Sequence, residues 1–156
     1  MVFCSLSGQS APRRDWHLNV NFSVPEVAYI QIYGTALDFK VQFRGFAHGS
    51  LFRINDIQMR YVIASNGSDK KLTAQLSENM PMGVQLELRI TEPNGAIAPA
   101  GGDFVEITSN PIDVLNYISN AKLDERVMDF RLKVDDTAIP ATNVNRTITF
   151  TLKEQQ

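Results

Sequence analysis

The sequence predicts an all-β domain of about nine or ten short strands. Three observations carry this: a period-two alternation of apolar and polar residues, its recurrence along the 156 residues, and Asn, Gly and Pro turn signals between successive runs. That spacing marks a β-sandwich or barrel rather than an α/β fold. The inward aliphatic and aromatic residues suit two stacked sheets. No convincing repeat of the roughly 20–50-residue kind found in propellers and solenoids is present.

The first run, residues 16–24, places Trp16, Leu18, Val20, Phe22 and Val24 on one face and His17, Asn19, Asn21 and Ser23 on the other. It predicts a strand with one buried and one wet face. Residues 27–33 are β-branched and aromatic between Pro25 and Gly34, a second strand. Leu37, Phe39, Val41 and Phe43 alternate with polar residues in a third, and residues 46–56 read as a loop. Residues 57–64 put Ile57, Met59, Tyr61 and Ile63 on one face; Asn66-Gly67-Ser68-Asp69 then predicts a hairpin turn, because Asn and Gly tolerate positive φ. The return strand turns Leu72, Ala74 and Leu76 inward and leaves Lys70, Lys71, Thr73 and Gln75 polar.

Val84, Leu86, Leu88 and Ile90 form the next alternation, broken by Pro93-Asn94-Gly95. Residues 96–102 read as small and flexible, and residues 104–108 as a short strand. Residues 112–123 admit either a helical turn capped by Asp113 or a strand around residues 114–118, and the β-rich setting favours the strand. Met128, Phe130, Leu132 and Val134 share one face of a further strand. Residues 137–143 are a loop, and Ile148, Phe150 and Leu152 alternate with threonines in the last strand.

Hydrophobic residues make up 44% and charged ones 21%, an ordinary balance for a globular domain long enough to bury a core. The net charge of −2 and the scattered Lys and Arg offer no basic stripe for phosphates, which excludes nucleic acid as an expected partner. No apolar run is long enough to span a bilayer. Cys4 is the single cysteine, so neither an intramolecular disulfide nor a Cys-rich zinc site is available. Residues 1–11 read as the remnant of a secretory signal peptide or as a disordered arm, leaving residues 12–156 as one domain.

No catalytic constellation emerges, and no cofactor is expected. His17 and His48 lack partners at metal-ligand spacing, and the adjacent carboxylates of Asp124-Glu125 and Asp135-Asp136 diverge if they lie in strands. Gly101-Gly102 is not followed by the Lys-Ser/Thr of a phosphate loop. Sequons occur at Asn21, Asn66 and Asn145; Asn66, on a predicted exposed turn, is the favoured one of the three. Trp16, Tyr29, Tyr33 and Tyr117 could stack on sugars; Tyr33 and Tyr117 are the candidate ligand aromatics.

Residues 59–67, 71–76, 80–88 and 146–152, as a pattern of strands and turns, resemble secreted bacterial surface proteins with an immunoglobulin-like antiparallel sandwich, of the fimbrial-subunit kind. The resemblance implies an exported, non-enzymatic structural or adhesive protein at the cell surface or beyond it. Its partners would be copies of itself or other surface proteins. In such subunits an N-terminal alternating strand completes a neighbour's sheet, and residues 16–24 have that form. The chain departs from the pattern in lacking a disulfide and in ending Lys153-Glu154-Gln155-Gln156, without a terminal aromatic. Pairing of residues 16–24 within their own sandwich is favoured at this point, and donation to a neighbour is the alternative. A glycan-binding module is the second functional expectation.

Overall fold

The computed structural model describes residues 21–40, 52–53, 56–139 and 143–155, none of them helical. The strands are β1 (Ala28–Tyr33), β2 (Phe52–Arg53), β3 (Ile57–Ser65), β4 (Lys70–Leu76), β5 (Val84–Ile90), β6 (Val105–Glu106), β7 (Ile112–Ile118), β8 (Asp124–Val134) and β9 (Ile148–Glu154). They form two antiparallel sheets. One runs β1-β3-β8-β5-β6, with β2 also paired to β8; the other runs β7-β4-β9.

One hydrophobic core fills the space between the sheets. Tyr61, Ile63, Leu86, Leu88, Ile90, Met128, Phe130, Leu132 and Val134 come from the larger sheet, and Leu72, Ala74, Leu76, Val114, Leu115 and Ile118 from the smaller. On β3, β4, β5 and β8 these are the inward positions of the period-two patterns, whereas on β7 the adjacent Val114 and Leu115 are both buried. Tyr61 brings a polar tip inside, and its hydroxyl donates to the Thr91 carbonyl at 2.5 Å. Burial raises the phenol well above its usual range.

Several expectations change. Of the predicted strand at residues 16–24, Trp16, Leu18 and Val20 lie outside the described residues; residues 21–24 belong to no strand, and Phe22 and Val24 are 83% and 71% exposed. The predicted strand from Leu37 is not formed over residues 37–40, and its remainder lies outside the described residues. Leu37 and Phe39 still pack against the core from irregular backbone. Within the predicted loop 46–56, Phe52 and Arg53 pair with Val134 and Lys133 of β8.

The largest correction concerns residues 66–69. They do turn the chain, but β3 pairs with β1 and β8 while β4 pairs with β7 and β9, so this turn crosses from one sheet to the other. Tyr61 and Ile63 on one side and Leu72 and Ala74 on the other then face each other through the core instead of sharing a sheet. Residues 96–102 are also more ordered than their composition suggests. Ala96 and Ala98 are buried, and Ile97 exchanges backbone hydrogen bonds with Asn116.

Candidate functional site

Two features of the β1–β9 side of the sandwich bear on function. The first is the end at which β1 begins. Asn66 clips the preceding segment: its side-chain oxygen accepts from the Val27 N–H at 2.6 Å, and its side-chain amide donates to the Pro25 carbonyl at 2.9 Å. Its own backbone N–H donates to the Val27 carbonyl. The sequon asparagine at this turn is thus engaged through both side-chain polar atoms. Lys70, only 4% exposed, sits beside this clip and reaches Glu26 ahead of β1 and Glu154 of β9, the latter at 2.5 Å. The hydrogen bonds it donates to Glu154 and then to Glu26 raise the ammonium above its usual range. A raised lysine pKa contributes stability that is complete below the ordinary lysine value and is lost as pH climbs through the folded value, so this clasp holds across neutral pH.

Gly67 makes the clasp possible, since a Cβ there would lie 2.0 Å from a Glu26 carboxylate oxygen. Around the same turn, Gln155 donates its backbone N–H to the Asp69 carbonyl, and Asn120 donates to that of Gly67. The segment entering β1, the end of β9 and the β7–β8 turn therefore meet at residues 65–70.

The second feature lies at the far end of the same border. Ile32, Leu37, Phe39 and Met59 from one side and Ile148 and Phe150 of β9 from the other line an apolar cleft of about 340 Å³. A second hollow of about 390 Å³ shares Leu37, Phe39, Met80, Leu132 and Val144 with it and continues toward Ala138 and Ile139. Arg146 fixes the rim, with Nε donating to the Asn79 carbonyl at 3.0 Å and an ion pair to Glu78 at 3.3 Å. The cleft thus opens where β1 gives way to irregular chain at Gly34.

The aromatic candidates separate. Tyr33 lies on edge strand β1 of the larger sheet, and Tyr117 on edge strand β7 of the smaller, so the two form no common platform. Tyr117 has a φ of 58° where β7 carries an extra residue relative to β4. Tyr29, with the same parity as Tyr33, joins it on the exposed face of β1, and its hydroxyl donates to Gln31 between them. Sequence reasoning weighed Tyr29 as a sugar aromatic but did not pair it with Tyr33; the two-residue strand period was the available signal.

The outer face of the larger sheet is held by charge pairs. Glu87 receives Lys133 Nζ at 2.6 Å and Arg131 Nε, while Asp129 accepts from Arg89 at 2.8 Å and Gln58 at 2.9 Å. The Arg131 guanidinium stacks 3.8 Å from the centroid of the Phe104 ring. Among the described residues no three His, Cys, Asp or Glu side chains gather as a metal site, and no helix is long and apolar enough to cross a membrane, which says nothing of a β-barrel. No protein-family model matches the chain, and a search of curated proteins finds no match.

Proposed function

We propose that this chain is a non-enzymatic structural or adhesive protein, secreted or displayed at a cell surface, with an immunoglobulin-like sandwich. Residues 16–24 serve as its assembly strand, pairing with a neighbouring molecule. The observation that carries the reading is the exposure of Phe22 and Val24. They are apolar members of an alternating stretch, yet their own domain does not bury them, and a half-apolar strand gains most when its apolar face leaves water.

Two further observations support it. The stretch enters the domain at the Lys70 clasp, while the apolar cleft lies at the other end of the β1–β9 border. A contact between unlike ends of a molecule is head-to-tail and builds an extended assembly, a filament where its rotation does not close into a ring. The strand also carries the side chains a cleft of that character accepts, including Trp16, Leu18 and Val20.

Deleting residues 1–24 tests the proposal. The truncated chain is expected to stay folded and soluble, with a melting temperature near that of the full chain, and to form no filaments by electron microscopy. A truncated chain that unfolds would contradict donation, because the stretch would then belong to its own core. Filaments unaltered by the deletion would contradict it as well.

A further inference from the structure

We propose that β1 is a homodimerisation strand: a second copy of this chain pairs with it, antiparallel, about a two-fold axis at Gln31. The inference uses a different part of the molecule from residues 16–24 and does not depend on their role.

Each sheet edge offers unpaired backbone groups, and proteins usually blunt such edges with charge, bulges or shortness. Four of the edges among the described residues are blunted. β2 and β6 have two residues each. β7 is bulged against β4 and carries Asp113. β9 ends in Lys153 and Glu154. β1 is the exception: six residues, Ala-Tyr-Ile-Gln-Ile-Tyr, with no charge, no proline and an unbroken register against β3. Among the described residues it pairs with β3 alone.

The identity of the partner comes from the strand itself. Residues 29–33 read Tyr-Ile-Gln-Ile-Tyr, the same in both directions. An isologous two-fold contact requires a patch complementary to itself, and an antiparallel pairing centred on Gln31 provides one. Tyr29 would face Tyr33 of the second copy, Ile30 would face Ile32, and Gln31 would face its own equivalent.

The hydrogen-bond phase agrees. Asn66 N donates to Val27 O, and this pair continues the β1–β3 register, so the bonded pairs with β3 recur at Tyr29, Gln31 and Tyr33. The backbone groups of Ala28, Ile30 and Ile32 therefore point to the free edge. About an axis at Gln31 those groups meet as Ile30–Ile32 pairs, which exchange both bonds. Tyr29–Tyr33 and Gln31–Gln31 become the non-bonded pairs, whose side chains approach most closely. Tyr29 and Tyr33 are both exposed in the single chain, and the aromatic contact covers them.

A Gln31→Cys substitution, made with Cys4→Ser to remove the other thiol, tests the axis directly. Non-bonded antiparallel pairs bring Cα atoms to about 4.5 Å, within disulfide range. Mild oxidation of the full chain is expected to give a covalent dimer on a non-reducing gel. Gln85→Cys, exposed on β5, which lies between β8 and β6, is expected to give none. Equal yields from the two positions would overturn the proposal. Charge supplies the second arm, read as β1-dependent dimer by native mass spectrometry. Gln31→Lys and Gln31→Glu are each expected to weaken self-pairing about tenfold or more, and an equal mixture to restore it as the mixed dimer. Variants that pair alone as well as the unsubstituted chain would overturn it too.

Discussion

Glu87 lies on the outer face of the larger sheet, where its strand position predicts a wet side chain, yet it is only 7% exposed. Burial disfavours its charge, but the hydrogen bonds from Lys133 and Arg131, with their positive charges, prevail and hold the carboxyl below its ordinary value of 4.5. A depressed carboxylate contributes stability that is complete above the ordinary value and is lost as pH falls through the folded one. Melts of the natural chain are therefore expected to lose stability as pH drops below that ordinary value. Glu87→Gln is expected to cost about 2 kcal/mol at pH 7 and to flatten that acid slope, since Arg131 and Lys133 lose their acceptor. An acid slope as steep in the variant as in the natural chain would show that the pairing does not carry it. At the clasp, Asn66→Ala removes the two side-chain bonds to Pro25 and Val27 and keeps the backbone bond to the Val27 carbonyl. Amide exchange at Val27 is expected to rise about tenfold, with little change in global stability, because only a local opening becomes easier.

At the scale of elements, β5, β8 and β9 were legible in the sequence because their ladders are regular and their apolar residues alternate with polar ones. β7 was ambiguous for a physical reason. Its register slips by one residue between Lys70 and Leu72 of β4 and again between Leu72 and Thr73. Each bulge adds a residue to β7, so Ile112, Val114, Leu115 and Ile118 fall at spacings that imitate one face of a helix. The turn at residues 66–69 exposes another limit. Asn-Gly marks a reversal, but nothing in the residues states whether the chain returns to the same sheet or crosses to the other. Residues 37–40 show a third: alternation predicts a strand, and Leu37 and Phe39 satisfy their hydrophobicity against the cleft without one. The clasp left little trace, because Glu26, Lys70 and Glu154 are distant in sequence and ordinary in type.

At the scale of the molecule, the two sheets share one core, so its centre should report on both together. Phe130 of β8 is 1% exposed. Phe130→Ala is expected to destabilise the fold by about 3–5 kcal/mol and to lower a single cooperative transition rather than split it. Separate transitions for the two sheets would contradict a common core. The same architecture gives the molecule distinct surfaces. The clasp end presents residues upstream of Pro25, the far end presents the apolar cleft, and the edge β1 lies between them.

Trp16 is the chain's single tryptophan and lies within the proposed assembly strand, so its fluorescence reports on that strand alone. The most direct measurement is therefore the emission maximum of the full chain as concentration is raised, with sedimentation followed in parallel. Donation to a neighbour predicts solvent-exposed emission in the dilute monomer and a blue shift that grows with the fraction assembled. An emission maximum that stays the same at every concentration, whether buried or exposed, would contradict the account.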